Sequence, residues 1–484
     1  MEVIIIDDGV NEEFAHINAL KHNLEITKSL KIINRKDYDK SLYSHGSICA
    51  CIIKKYSPNC KIGSIKILSS DEHNGSLEQL LVALEWCIDV GTNLINMSIG
   101  SIKYKDYEPV RVLISKLVNN GCIVVSACNN NKWFSVPACL SGVIGVETKE
   151  TYSDDQFTYN NNYYDFSDII ASSQHLIHGY NKKVILTKLS NSYAAPLITS
   201  KIYNLLKNKE YKKICKIKLE LYSKSCNEQF IEVCYSMRPD FIDSAIVLNY
   251  TEINNMDLLF FNTEFIYSHL DVKRFQLNDK MTNIVILPPK NNNDFNFLDD
   301  ISDVIDRNKE WINGILYCGI LPSRLKTLCI KDVNCLLWDE EAYLRRLKNK
   351  ELSELPCGIP IISIQGDVDH TIRAMLLLEK ELIKNEYNSM MVSTLKYSYL
   401  YGIEYIPLQL MDYKVFRYLE TYFNLDIILF VDNSIKSEIF DLKIKIINGA
   451  SNCFVTDGDT IIISNNMIEI KIKEIFNYIV AYFR

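Results

Sequence analysis

Three short segments of this chain hold residue types that could cooperate in acyl transfer. The first is Ile4-Ile5-Ile6-Asp7-Asp8-Gly9, an apolar run delivering carboxylates at its tip. The second is Ser44-His45-Gly46-Ser47, directly before the apolar stretch 48–53. The third is Ser190-Asn191-Ser192-Tyr193-Ala194-Ala195-Pro196, directly before a helical pattern over 197–206. A serine nucleophile needs a base to take its hydroxyl proton and a buried carboxylate to hold that base. An Asp, a His and a Ser on three rigid elements supply those groups. Each segment alone is a weak signal, so the elements that carry them matter.

Residues 1–208 alternate between strand and helix patterns. Short β-branched runs at 3–6, 61–68, 94–98, 122–127 and 142–147 suit a buried parallel sheet. A helix is expected over 77–90, opened by Ser76 with Gln79 three residues later and closed by Gly91. Another is expected over 108–118, followed by Gly121. Strands alternating with helices imply crossover connections and an open α/β sheet, in which function sits at the carboxyl ends of strands.

Two further segments lie between the first three. They are Asn96-Met97-Ser98-Ile99-Gly100 and Val124-Val125-Ser126-Ala127-Cys128-Asn129. Together the five motifs resemble those of the subtilisin-like serine peptidases, in the chain order Asp, His, Ser. Asp7-Asp8-Gly9 is similar to the family's Asp-Ser/Thr-Gly, and its Asp-Asp-Gly form to the kexin branch. His45-Gly46-Ser47 resembles His-Gly-Thr, and Ser192-Tyr193-Ala194-Ala195-Pro196 resembles Ser-Met-Ala-Ala-Pro. The resemblance implies that Ser192 is the nucleophile, His45 the general base and then acid, and Asp7 the residue that orients it. It implies that Asn129 and the Ser192 N–H donate to the oxyanion. Ser98, Ile99 and Gly100, with Ser126, Ala127 and Cys128, would form the two walls of the pocket before the scissile bond.

Some alternatives stay open at this level. Asp8 could replace Asp7, since a one-residue shift flips the side chain. Asn130 and Asn131 adjoin Asn129, although only Asn129 has the motif's spacing from Val124-Val125. His175 and His178 are expected to be loop histidines. Ser190-Asn191 stands where the family has Gly-Thr, and Cys128 stands where it has Gly, which should narrow or alter the pocket. No acidic loop resembles a calcium site, and no metal or cofactor is expected.

Composition bounds the rest. At 484 residues and 55.9 kDa, two or three domains are expected. Residues 1–208 balance 21 Lys and Arg against 21 Asp and Glu, and the remainder holds 32 against 39. Without a basic stripe, a nucleic-acid groove has little support. Fifteen scattered cysteines form no C-x2-C pair and read as reduced thiols of a cytosolic protein. The N-terminal apolar run lacks a cationic start, and no segment is long and apolar enough for a membrane span. The chain shows no pro-segment before Asp7, which suits an intracellular maturation enzyme.

Residues 209–227 look charged and helical and are expected to link the peptidase domain, 1–208, to a second α/β domain, 228–484. The second domain's clearest unit is a strand at 360–364, a turn, a helix over 371–384 and a strand at 390–393. Further strands are expected at 283–287, 314–318, 427–431, 443–447 and 460–463. The turn is placed like a phosphate loop, with Gly366 and Thr371 in position. His370 stands where a Lys is needed, and Asp367 and Asp369 would repel phosphate. With 393–407, this segment resembles P-loop-derived proteins that occur beside radical-SAM enzymes in ribosomal-peptide maturation. That resemblance implies recognition of a precursor peptide or of a peptide-modifying enzyme.

The expected function is intracellular peptide-bond hydrolysis that removes a leader from a ribosomally made, modified precursor. Two rivals are an inactive peptide-binding relative and a general degradative protease.

Overall fold

The computed structural model describes residues 1–69, 75–150, 153, 155–160, 167–207, 213–225, 233–251, 258–268, 271–272, 275–277, 280–290, 295–342, 352–431, 439–448 and 453–483. The chain divides into two compact units. One comprises Met1–Ser101, Asp106–Thr251 and Thr263–Ala342; the other comprises Ile102–Lys105, Glu252–Asn262 and Tyr343–Arg484. Both are α/β, as expected.

The first unit begins with strands β1 (Glu2–Asp7), β2 (Asn23–Ile26) and β3 (Ile32–Asn34), followed by helix α1 (His45–Tyr56). Then come β4 (Lys61–Lys66), α2 (Leu77–Asp89), β5 (Leu94–Met97), α3 (Tyr107–Asn119) and β6 (Ile123–Ala127). After them lie β7 (Val143–Thr148), β8 (Phe157–Tyr159), β9 (Ile169–Ala171) and the hairpin β10 (Leu176–His178) and β11 (Val184–Leu186). Helices α4 (Asn191–Leu206) and α5 (Ile214–Lys224) follow. Nine strands form one sheet in the order β3-β2-β4-β1-β5-β6-β7-β9-β8, parallel except for β3 and β8 at its edges.

Strand β1 lies between β4 and β5, and Val3, Ile4, Ile5 and Ile6 are all buried. Each such side chain contributes about 1.5–3 kcal/mol by leaving water. A polar residue at Ile5 would break the strand first. The chain leaves β1 toward one side of the sheet and later passes to β5 on the other. That reversal opens a crevice at the carboxyl ends of these strands, where Asp7 ends β1 and Ser98 follows β5.

A second sheet belongs to the same unit. Its strands are β12 (Ser244–Asn249), β13 (Asn262–Ser268), β14 (Thr282–Leu287), β15 (Ile312–Tyr317) and β16 (Leu336–Trp338), with helices α6 (Phe295–Arg307) and α7 (Ser323–Leu328). Its order is β13-β12-β14-β15-β16. Several buried polar contacts fasten it to the first sheet. The Arg111 guanidinium holds Glu108 and donates to the Ile242 carbonyl. The Asp240 carboxylate accepts from the Ser141 N–H at 3.2 Å. Burial pushes the Asp240 carboxyl up to about 6 against the pull of Ser141, Arg238 and Arg111.

The junction expected at 209–227 therefore falls inside a compact unit. Its charged, helical pattern suggested a linker, yet Lys213 and Lys218 of that stretch are buried and satisfied. Lys213 donates to the carbonyls of Val333 at 2.8 Å and of Lys309, and Lys218 pairs with Asp168 at 2.8 Å and donates to Ser141 O at 3.0 Å.

The second unit holds a seven-stranded sheet. In chain order its elements are β17 (Ile361–Gln365), α8 (Val368–Lys384), β18 (Ser389–Ser393), β19 (Glu404–Tyr405), α9 (Tyr413–Phe423) and β20 (Ile427–Val431). Then follow β21 (Leu442–Ile447), β22 (Phe454–Asp457), β23 (Thr460–Ser464) and α10 (Ile468–Tyr482). The order is β19-β18-β20-β17-β21-β23-β22, with only β22 antiparallel. At the turn after β17, the Asp367 side chain caps α8 through the Asp369 N–H, and His370 Nδ1 lies 3.2 Å from Asp367 Oδ1. An aspartate thus occupies the helix start that a phosphate loop would offer to an anion.

Candidate active site

The start of α1 is built by the loop that follows β1. Ser44 is its N-cap, accepting from the Ser47 N–H at 3.2 Å. The Asp8 carboxylate takes the next two donors, the N–H groups of His45 at 2.9 Å and Gly46 at 2.8 Å. The helix therefore begins at His45, three residues before the apolar run that announced it. The approach is close: a Cβ on Gly46 would lie 2.8 Å from Gly9 O, and Gly9 itself has φ +101°. Glycine is needed at both positions.

This packing aims Asp7 at His45. Both Asp7 carboxylate oxygens contact His45 Nδ1, at 3.0 and 2.9 Å, and Asp7 is fully buried. Asp7 and not Asp8 faces the imidazole. Burial works against the imidazolium, but the Asp7 carboxylate raises the His45 pKa above the ordinary histidine value. Burial and the charge of Asp7 push the Asp8 carboxyl up.

Cys49, one turn after His45, lies beneath the ring. Its sulfur is 3.9 Å from His45 Nδ1, 3.5 Å from Ser98 Oγ and 3.8 Å from Ser192 O. Complete burial pushes its thiol up, so it is a neutral contact at neutral pH. The donor atoms of Asp7, His45 and Cys49 lie within 4.8 Å of one another and could hold a soft cation. Such an ion would compete with the Asp7–His45 bond.

Ser192 is the second residue of α4. Ser98 Oγ donates to its carbonyl at 2.9 Å, and Asn96 Oδ1 accepts from Thr199 Oγ1 at 2.8 Å two turns further on. Two side chains at the end of β5 thereby seat α4. Among the described residues no hydrogen bond joins His45 to Ser192, whose Oγ lies 2.9 Å from Ser190 Oγ. The Tyr193 ring lies over the His45 imidazole with centroids 5.1 Å apart, and its hydroxyl meets that of Tyr43 at 3.3 Å.

Asn129 follows β6 and is half-buried, with its Oδ1 accepting from the Asn131 N–H at 2.8 Å. Asn130 Oδ1 accepts from the Asn191 N–H at 3.1 Å. The buried Asn191 amide donates to Cys128 O at 3.0 Å and Asn129 O at 3.4 Å and accepts from the Thr148 N–H at 2.9 Å. Asn191 thus staples the loop after β6 to the start of α4. Ile99 is half-buried and Gly100 exposed, while Ser126, Ala127 and Cys128 are buried. A hydrogen bond to Cys139 and burial push the Cys128 thiol well up.

Sequence reasoning placed Ser190, Asn191 and Tyr193 in the nucleophile motif without giving them contacts, and it missed Cys49 as a neighbour of the site. The signal for Cys49 was its spacing: residues four apart share one helix face. His178 lies on β10 and is exposed. His175 is no loop bystander: it is buried, with Nε2 3.1 Å from Tyr193 O and Nδ1 3.0 Å from Tyr56 Oη.

An aspartate paired with a histidine beside a helix-borne serine can support acyl transfer. Residues 2–216 match the model of the subtilase family. Over this stretch, which is under half of the chain, the sequence is similar to the subtilases. The structure is similar to that of an epidermin leader peptide processing serine protease from Staphylococcus aureus, at 16% identity over 48% of this chain and 72% of that one, with a TM-score of 0.37. It is also similar to a cold adapted subtilisin-like serine proteinase, at 18% identity over 47% of this chain and 82% of the other (TM-score 0.37). A lanthipeptide protease is similar at 17% identity over 48% of this chain and 81% of its own, again with a TM-score of 0.37. No curated protein matches the chain. Among the described residues no helix is long and apolar enough to cross a membrane, and the described cysteines are free.

Proposed function

We propose that Asp7, His45 and Ser192 form the catalytic triad and that the enzyme removes the leader from a modified, ribosomally made precursor peptide in the cytoplasm. The Asp7–His45 pair carries the reading: a fully buried carboxylate grips Nδ1 with both oxygens and leaves Nε2 for the nucleophile. In catalysis the Ser192 hydroxyl proton passes to neutral His45 Nε2 as Oγ attacks the scissile carbonyl carbon. Asn129 Nδ2 and the Ser192 N–H donate to the oxyanion. The tetrahedral adduct collapses, His45 protonates the departing amine, and water repeats the sequence on the acyl-enzyme. Ser98–Gly100 and Ser126–Cys128 wall the pocket for the residue before the cut.

Leader removal is supported by the attachment of a peptidase domain to a second α/β unit, whose phosphate-loop-like turn is closed by Asp367. In this reading the second unit recognises the precursor or a peptide-modifying enzyme, and no cofactor takes part. The test is fluorophosphonate labelling of wild type beside Ser192→Ala and His45→Ala, with mass spectrometry of cleaved peptides. Labelling that depends on both residues, with one cut in a precursor and none in casein, is the expected result. Broad casein cleavage would indicate a degradative protease. A folded wild type that never labels would refute the triad.

A further inference from the structure

Ser190 has the position and chemistry of a helix N-cap, yet its hydroxyl caps nothing. Its backbone is extended (φ −163°, ψ 139°), as an N-cap requires. A serine there ordinarily accepts from the N–H of the second or third helical residue. In α4 that side-chain bond is not made. The Ser190 hydroxyl instead lies 2.9 Å from Ser192 Oγ. The backbone of Ser190 is held independently, its N–H donating to Ser173 Oγ at 3.3 Å and its carbonyl accepting from the Tyr193 N–H at 3.0 Å.

We propose that Ser190 is a positioning residue whose hydroxyl holds Ser192 Oγ in a resting orientation, so that the nucleophile must leave it to reach His45. The proposal rests on the assignment of Ser192 and His45 made above. Ser190 stands where the subtilase pattern has Gly, so this hydroxyl is a departure from that pattern. The state of His45 agrees with such a resting contact. Asp7 favours the imidazolium, which can only donate through Nε2, and Ser190 Oγ is then the acceptor at hand for the Ser192 proton. On reaction the imidazolium first releases its Nε2 proton to solvent; the Ser192–Ser190 hydrogen bond then breaks, Oγ rotates toward neutral His45, and the Ser192 proton passes to Nε2. The net change is the single proton that the imidazolium gives to water.

The test compares wild type, Ser190→Ala and Ser190→Thr. The readouts are the second-order rate of fluorophosphonate labelling, kcat and KM on a cleaved peptide, and the urea midpoint. Losing one neutral hydrogen bond that competes with the reactive geometry should speed labelling and kcat by about 2- to 10-fold. KM should stay within about twofold, as should all parameters of Ser190→Thr, which keeps the hydroxyl. The urea midpoint of Ser190→Ala should not fall, because no cap bond is removed. A Ser190→Ala enzyme that labels no faster than wild type, or that is destabilised and slower, overturns the proposal and leaves the triad standing. A folded wild type that does not label refutes the triad and this proposal with it.

Discussion

Asp7 ends β1 and Asp8 follows it, and replacement of these adjacent carboxylates should have opposite signatures. Among the described residues the Asp7 carboxylate hydrogen-bonds the imidazole and the Asp8 N–H, at 2.9–3.0 Å. Asp8 is 4% exposed and accepts the first two N–H groups of α1. In Asp8→Ala those donors lose a charged acceptor, at a cost of about 1.5–3 kcal/mol each. Part of this is offset, because burial and Asp7 already disfavour the Asp8 charge and raise its carboxyl pKa. A net loss of about 2–4 kcal/mol follows, on the scale of a strong N-cap deletion combined with a lost hydrogen bond. Asp8→Asn keeps one acceptor and should lose roughly half as much. Both variants should still label with fluorophosphonate once folded, since the group that orients His45 is intact. Asp7→Asn should keep most stability while its turnover falls on the order of 10⁴-fold, because the wrong imidazole tautomer is favoured. Urea unfolding and labelling rates on the same samples separate the two effects. The reasoning fails if Asp8→Asn abolishes labelling while Asp7→Asn does not, or if Asp8→Ala is as stable as wild type.

Three further outcomes follow from the same contacts. His45 must be neutral to accept a proton and its pKa is raised, so kcat/KM should climb with pH through a midpoint above 6.5; a pH–rate profile checks this, and Asp7→Asn should move the limb toward acid. Asn191→Ala removes the donor to Cys128 O and Asn129 O and the acceptor for the Thr148 N–H, so it should cost about 2–5 kcal/mol in urea unfolding and slow labelling at least about tenfold. Residues 1–208 expressed alone should show no cooperative transition by circular dichroism, whereas residues 1–342 should unfold cooperatively and label, because Arg111 and Ser141 find partners in Ile242 and Asp240.

Much of the first sheet was legible because its strands are short β-branched runs buried on both faces, a pattern that local sequence carries. The ends of the helices were less so. Apolar periodicity marks α1 from Ile48 and α4 from Leu197, but the helices begin at His45 and Asn191. For α1 the extra turn is made by Asp8, a residue 37 positions away from His45. The choice between Asp7 and Asp8 was open for the same reason. Both lie where one strand ends, and what separates them is whether a carboxylate meets an imidazole or a pair of backbone donors.

The second half of the chain was misjudged in its grouping and not in its elements. The strands expected at 283–287, 314–318, 427–431, 443–447 and 460–463 are present within a residue or two. A βαβ repeat is a local pattern, whereas membership of a sheet is decided by pairing across long sequence separations. Strand β12 pairs with β14 and β17 with β20 and β21, so two sheets arise where the pattern suggested one domain. The charged stretch before them misled for a physical reason. A lysine is costly to bury alone, so a stretch rich in lysine is readily taken for a linker. Their partners, two carbonyls for the first and Asp168 with Ser141 O for the second, come from residues 50 to 120 positions away. Only the folded chain brings those acceptors together, and it does so where a free-standing peptidase domain would have ended.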